Sequence, residues 1–327
     1  MDAEHPIPSE DLERLKRLVE DVPPGTRLRI TLTRHDASDT FQAFGRQMKT
    51  AAPGIDLLTE VTGETGPPWM ETGGGIRFQA LPDGNKLDSL VDALKPSNQK
   101  DAHIPPAHRA LLARMALPVE IRLFIAPGCP FCPQALQQWV ALARAGRNLR
   151  LRVIDGALFP EAVQAADVKA VPTLILDGHL RWSGRIPVTD VLEQAAERDP
   201  SRLSTEALDG IIKEGQAGQL ARAMIDKGAL FPAIFDLLTH DKWPSRLGAM
   251  VVLEEIAAAD PHLAAKAVPV LQGRYADLDD PARGDVLYII GETGSSRMLP
   301  FLEAVMADSA NPELHQAAQE AMATIQD

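Results

Sequence analysis

One order of strands and helices occurs twice in the first 200 residues, and this repeat constrains the fold more than any other feature of the sequence. Alternating and helical apolar patterns predict the elements of the first copy, in order, at 26–33, 39–52, 55–61, 69–70, 75–81 and 87–94. Those of the second copy are predicted at 120–126, 133–145, 149–155, 160–166, 173–177, 179–182 and 188–197. Each copy is a βαβ unit followed by ββα, with a short additional helix at 160–166 in the second copy. Two such copies in tandem predict an α/β protein with a mixed sheet and flanking helices.

Strand patterns end at about residue 200, and helical patterns replace them. Predicted helices at 243–256, 280–292 and 311–325 begin beside Pro244, Pro281 and Pro312, with second helices at 261–271 and 298–306 between them. Together with Arg246 and Arg283, each two residues after a proline, this pattern resembles HEAT repeats. We therefore expect three domains: two α/β domains at 1–114 and 115–199, and an all-α HEAT-like domain at 200–327.

The charge of the chain is negative and concentrated towards its C-terminal end. The 327 residues carry a formal net charge of -12, of which residues 200–327 contribute -9 and residues 1–114 contribute -3. Binding to nucleic acid or anionic lipid depends on clustered Lys and Arg, so neither is expected as a partner. No apolar run approaches the ~20 residues of a membrane helix. The acidic start has no signal-peptide pattern, which predicts a cytoplasmic protein.

The two cysteines of the sequence, Cys129 and Cys132, lie three residues apart between an apolar strand and a helix. Backbone amides at a helix N-terminus stabilise a thiolate and lower the pKa of the thiol, so we expect Cys129 to be the exposed nucleophile. Cys132, one turn further on, is expected to attack the mixed disulfide that Cys129 forms with a substrate. The cofactor prediction is accordingly a redox-active Cys129–Cys132 disulfide and no bound group.

A second motif, Val171-Pro172-Thr173, precedes the apolar strand of the second hairpin. A cis proline here is expected to hold the strand edge close to the sulfur and to leave its backbone free to pair with an extended substrate. The predicted substrate-binding residues are Pro130, Phe131, Val171 and Pro172.

These motifs together resemble the thioredoxin superfamily, and within it the archaeal protein disulfide oxidoreductases and the tandem thioredoxin-fold region of the alkyl hydroperoxide reductase F subunits. The matching residues of the second copy are Cys129-Pro130-Phe131-Cys132-Pro133, Ile154-Asp155-Gly156, Phe159, Val168, Val171-Pro172 and Gly184-Arg185. Those of the first copy are Pro68, Ile76-Arg77-Phe78, Pro82, Gly84, Ser89-Leu90-Val91 and Ala93-Leu94. The resemblance spans residues 8–198 and implies a cysteine-free thioredoxin-like fold at 1–114 followed by a redox-active one at 115–199.

The sequence also departs from the pattern of these reductases. No GxGxxG follows residue 199, so we expect a separate flavoprotein reductase of the thioredoxin-reductase type to supply electrons. The reductase family has an acidic residue near the position of Lys86, and Leu123 stands where thioredoxin has a buried Asp. Pro130 and Phe131 between the cysteines favour a potential less reducing than the ~-270 mV of thioredoxin.

The resemblance implies a thiol-disulfide oxidoreductase acting on protein disulfides or a peroxiredoxin, with the helical repeats as a docking or capping domain. The alternative is a non-catalytic adaptor in which the CxxC motif is a redox switch. A third hypothesis, a zinc site of both cysteines with His103 and His108, has a permissible spacing but gives Pro133 and Val171-Pro172 no role.

Overall fold

The computed structural model describes residues 7–96, 104–293, 296–308 and 311–326. The chain divides into two units, Met1–Arg198 and Asp199–Asp327. The first unit contains the predicted α/β elements and the second unit the predicted helices. No helix of the described residues is long and apolar enough to cross a membrane.

All strands described in the first unit belong to one eight-stranded sheet with the order β2-β1-β3-β4-β6-β5-β7-β8. The strands are β1 (Arg27–Leu32), β2 (Asp56–Val61), β3 (Trp69–Thr72), β4 (Ile76–Gln79), β5 (Val119–Ile125), β6 (Leu149–Asp155), β7 (Thr173–Leu176) and β8 (Leu180–Ser183). Within each copy the first two strands are parallel and the hairpin is antiparallel. The mixed sheet predicted from the repeat is therefore confirmed.

The two copies are joined in the middle of the sheet by a parallel pairing of β4 with β6. Phe78 lies opposite Val153 in this register, and Ile76 lies opposite Leu151. All four side chains are at most 2% exposed. The first unit therefore has one continuous sheet and one continuous apolar core. The domain boundary between residues 114 and 115 stays a prediction.

Helices flank this sheet, and their buried faces follow the helical period. They are α1 (Ser9–Leu18), α2 (Ser38–Ala51), α3 (Lys86–Leu94), α4 (Pro106–Arg114), α5 (Cys132–Ala145), α6 (Pro160–Ala165) and α7 (Val188–Glu197). In α5, Leu136, Trp139 and Val140 are buried at intervals of three and four residues. In α2, a Cβ at Gly45 would lie 2.7 Å from Ile30 Cδ1, so glycine permits the close approach of helix and sheet.

The described residues of the second unit are helical, as the loss of strand patterns predicts. The helices are α8 (Thr205–Lys213), α9 (Ala217–Lys227), α10 (Pro232–Leu238), α11 (Trp243–Ala259), α12 (Pro261–Ala264), α13 (Val268–Arg274), α14 (Asp280–Glu292), α15 (Leu299–Asp308) and α16 (Pro312–Gln326). The single helix predicted at 261–271 is wrong, because a 3-10 turn at Ala265–Ala267 divides it. Pro269 has no N–H to bond the Ala265 carbonyl, so the α-helix cannot run through.

Two arginines of the repeat pattern play the same structural part in consecutive repeats. Arg246 Nη1 donates to the His240 carbonyl (2.8 Å), and Arg283 Nη2 donates to the Ala276 carbonyl (2.8 Å), so each side chain ties its helix to the preceding turn. The buried Arg246 also donates from Nε to Asp285 Oδ2 (2.7 Å), which links α11 to α14. The helices α9, α11, α14 and α16 pack successively against one another.

We expect Arg246→Met to lower the free energy of unfolding of the second unit by about 3 kcal/mol, because it leaves the Asp285 carboxylate without its buried partner. Urea denaturation followed by circular dichroism measures this loss. Arg283→Met is the matched control, since the Arg283–Asp280 pair is more exposed and should cost under about 1 kcal/mol. Equal losses for the two variants would contradict the role given to the buried pair.

Candidate functional site

The cysteines occupy the connection between the central strand β5 and α5, which begins at Cys132. Gly128, at φ +71°, makes the left-handed turn that leads into the motif. Cys129 and Cys132 form a disulfide with an Sγ–Sγ distance of 2.27 Å. Cys132 is fully buried and Cys129 is half-buried, so Cys129 presents the accessible sulfur.

The N-terminus of α5 is directed at that sulfur. The Cys132 backbone N–H donates to Cys129 Sγ at 3.2 Å. Pro133 follows as the second residue of the helix, where its missing N–H leaves no donor unsatisfied. The amide and the positive end of the helix dipole both favour negative charge on Cys129 once the disulfide is reduced.

The second motif lies directly beside the disulfide. The Val171–Pro172 peptide bond is cis, and the Val171 carbonyl oxygen lies 3.7 Å from Cys129 Sγ. The Gly184 N–H donates to the Pro172 carbonyl (2.8 Å), which anchors the loop to the end of β8. Within the described part of the chain, the Val171 amide donates no hydrogen bond. That amide is available to an extended segment laid along the loop.

A groove with a volume of 700 Å³ starts at the motif and separates the beginning of α5 from the segment before α7. Phe131, 67% exposed, and Pro172 form its end nearest the cysteines. The groove is lined by Phe131, Gln134, Ala135, Gln138, Pro172, Gly184, Arg185, Ile186, Pro187 and Val188. A partner segment that reaches Cys129 would therefore meet an apolar surface with amide groups along one side.

Sequence reasoning missed Gln134, Gln138 and the segment 186–188 as members of this groove. Gln134 and Gln138 are exposed residues four positions apart, so they lie on the same side of α5 beside the motif. The four-residue spacing of Gln134 and Gln138 in the sequence could have indicated that both lie on one side of α5. The segment 186–188 joins the hairpin to α7, and its position depends on tertiary packing that no local pattern reports.

Leu123 and Lys86 mark the two positions at which the sequence departs from the family pattern, and neither of them supplies a carboxylate. Leu123 is fully buried in β5. Lys86 is 7% exposed, and its Nζ lies 2.7 Å from Asp83 Oδ1, so its charge is balanced locally. The buried carboxylate of the second copy, Asp155, accepts the Ala157 (2.9 Å) and Leu158 (3.3 Å) amides and so holds the turn after β6.

The zinc hypothesis has no support in the described residues. The two thiols that it needs as ligands are joined to each other in the disulfide. His108 Nε2 lies 3.0 Å from Thr189 Oγ1, while His103 falls outside the described residues. Among the residues that can be placed, no group of three or more His, Cys, Asp or Glu side chains could hold a metal ion.

The fold, the CxxC disulfide and the neighbouring Val-Pro loop define a thioredoxin-like domain within the first unit. Residues 119–197 match the thioredoxin domain family. The protein disulfide oxidoreductase of Aeropyrum pernix shares the fold, with a TM-score of 0.50 and 17% sequence identity over 62% of this chain and 97% of that chain. The thioredoxin-like fold predicted from the motifs is confirmed.

Part of the chain is similar to the N-terminal region of the alkyl hydroperoxide reductase F subunit. It is 28% identical to the Pseudomonas aeruginosa protein of that name over 155 residues, which are 46% of this chain and 30% of the relative. It is 30% identical to the Xanthomonas campestris protein over 155 residues, 45% of this chain and 29% of the relative. The match thus spans about three tenths of the length of these relatives.

Proposed function

We propose that this protein is a thiol-disulfide oxidoreductase that exchanges two electrons with protein disulfides through Cys129 and Cys132. The observation that supports this proposal is the half-buried Cys129 sulfur, which accepts the Cys132 amide at the start of α5, in a motif whose Phe131 lines a groove. A structural disulfide needs neither an approach groove nor a dipole directed at one of its sulfurs. Both features serve a thiolate that reacts with another protein.

In the reduced protein, the Cys129 thiolate attacks one sulfur of a substrate disulfide. An S–S bond forms between Cys129 and the substrate, and the other substrate sulfur leaves as a thiolate. Cys132 then loses its proton and attacks Cys129 Sγ, so that the second substrate thiolate departs and the Cys129–Cys132 disulfide forms. The substrate gains two electrons, one proton from Cys132 and one proton from solvent, and Cys129 and Cys132 are oxidised to the disulfide seen in the structure.

The groove supports recognition of an extended segment around the substrate disulfide. Pro130, Phe131 and Pro172 offer apolar contacts beside the sulfur, and the Val171 amide and carbonyl can pair with the substrate backbone. Backbone pairing gives affinity without demanding one substrate sequence, which suits an enzyme with several protein substrates.

Homology to the alkyl hydroperoxide reductase F subunit supports a peroxiredoxin as one oxidised partner and a flavoprotein reductase of the thioredoxin-reductase type as the electron donor. We propose no resident cofactor besides the disulfide. A cytoplasmic location would keep the dithiol form populated. The helical unit, in this proposal, docks a partner protein or caps the redox unit.

The test is reduction of insulin disulfides by the full-length protein with dithiothreitol as the electron source. We expect the protein to accelerate the reduction in proportion to its concentration. The adaptor hypothesis predicts the opposite result. Insulin would be reduced no faster than by dithiothreitol alone, although dithiothreitol still reduces the Cys129–Cys132 disulfide.

The unequal burial of the two sulfurs predicts which thiol reacts first with a small electrophile. In the reduced native protein, we expect iodoacetamide to alkylate Cys129 at least about tenfold faster than Cys132, because thiolate character and access both favour Cys129. Mass spectrometry of the modified peptides after short exposures at several pH values measures both rates. Faster modification of Cys132 would reverse the assignment of the nucleophile.

A further inference from the structure

The second unit exposes a stripe of large apolar side chains on α11 and the neighbouring α14. Trp243, Leu247 and Val251 follow one another at intervals of four residues along α11, and they are 55%, 39% and 37% exposed. Tyr288 of α14 is 43% exposed. Side chains four residues apart lie on one face of a helix, so the three α11 residues form a continuous strip about two turns long.

Carboxylates border the end of the strip near Val251. Tyr288 Oη donates to Glu254 Oε1 at 3.0 Å. Burial, this hydrogen bond and the charges of Glu254 and Glu292 raise the pKa of Tyr288 to about 12, so its hydroxyl stays protonated at neutral pH. Glu255 is the next residue along α11.

The cations of these two helices are already paired. Arg246 binds Asp285, and Arg283 binds Asp280. Within the described part of the chain, Glu254, Glu255 and Glu292 have no cationic side chain within ion-pair distance. The border of the apolar strip at its Val251 end therefore has an uncompensated negative charge, in a unit whose net charge is strongly negative.

The strip also lies on a rigid support. The buried Arg246–Asp285 pair and the Tyr288–Glu254 hydrogen bond both connect α11 to α14, so the exposed residues keep their spacing. A fixed surface loses little conformational entropy when a partner binds. An exposed Trp at one end is, moreover, the residue type most often found as an anchor in protein interfaces.

We propose that the strip formed by Trp243, Leu247, Val251 and Tyr288 docks an amphipathic basic helix of a partner protein. The partner helix places its apolar face on the strip and its Lys or Arg side chains against the bordering carboxylates. A second copy of this chain fits poorly, because it would bring two acidic units together. The inference rests on the proposed docking role of the helical unit.

The test uses the full-length oxidised protein and a fluorescein-labelled helical peptide of about 18 leucine and lysine residues, long enough to cover the strip. Fluorescence anisotropy measures its dissociation constant. We expect Trp243→Ala and Leu247→Ser each to weaken binding about tenfold. Glu292→Lys should weaken it mainly at low salt. Val61→Ala, which truncates a 77% exposed apolar side chain of the first unit, is the matched control and should leave binding unchanged.

Three results would overturn the proposal. The first is equal binding of the leucine–lysine peptide to the wild type and both apolar variants. The second is equal affinity for a peptide with glutamate in place of every lysine. The third is a dimer in sedimentation velocity that Trp243→Ala dissociates, which would assign the strip to a second copy. None of these measurements needs turnover, so failure here and failure of insulin reduction are separate outcomes.

Discussion

Cys129→Ser is expected to reduce insulin no faster than dithiothreitol alone. A serine hydroxyl cannot attack a disulfide at neutral pH, and Cys132 cannot replace the missing nucleophile because its sulfur is fully buried. The loss should be complete at every substrate concentration, since the variant removes the bond-forming step and leaves the groove intact. Turbidity of the reduced insulin chains measures the rate.

Cys132→Ser is the matched variant for this experiment, because it replaces a sulfur by an oxygen as Cys129→Ser does, three residues further along the chain. It retains the Cys129 thiolate but lacks the thiol that releases the substrate, so we expect a mixed disulfide between Cys129 and the substrate to accumulate. Non-reducing electrophoresis detects it. A mixed disulfide formed by Cys129→Ser and not by Cys132→Ser would exchange the roles of the two cysteines.

Phe78→Ala is expected to lower the free energy of unfolding of the first unit by about 3–5 kcal/mol, the usual cost of removing a buried aromatic side chain. Phe78 is fully buried on β4, where it lies opposite Val153 of β6. Because β4 joins the two copies in one sheet, we expect both copies to lose stability together. Trp69 lies on β3 of the first copy and Trp139 on α5 of the second copy, so versions that keep one of these two Trp residues, with the other Trp residues replaced by Phe, report on each copy separately.

The control for this variant is Leu58→Ala, on the outer strand β2, where the side chain is 40% exposed. It should cost much less, under about 1 kcal/mol. Guanidinium denaturation followed by the fluorescence of Trp69 and of Trp139 should give coincident transitions for all three proteins. A Phe78→Ala variant in which Trp69 reports an early transition and Trp139 an unchanged one would show that the copies unfold independently.

Local patterns in the sequence were sufficient for most of the first unit. The alternating pattern from Leu149 to Asp155 predicted β6 with its bounds unchanged, and the pattern of Val188–Glu197 did the same for α7. The position of Cys129 and Cys132 between a strand and a helix predicted the local geometry of the disulfide, because a sharp turn into a helix directs backbone amides at the preceding side chain. The catalytic and substrate-binding roles of these residues remain predictions.

The features that the sequence left open depend on contacts between distant segments. Ile76 and Phe78 identify β4 as an apolar strand, but no local signal tells which strand lies beside it. The helices α8, α9 and α10 were missed, because residues 205–238 have fewer proline-marked starts than the later repeats. The groove beside the disulfide likewise unites α5 with residues 184–188, which only the folded sheet brings together.

The pairing of β4 with β6 also determines where the chain can be cut. In the whole unit the outer strands are β2, which has Asp56 and Glu60, and the short β8. Charged or short outer strands resist pairing with other molecules. A fragment starting at residue 115 would instead present the bare hydrogen-bonding edge of β6, with Leu151 and Val153 along it, and would template aggregation. We therefore expect the cysteine-free copy, by pairing β4 with β6, to limit aggregation of the copy that carries Cys129 and Cys132.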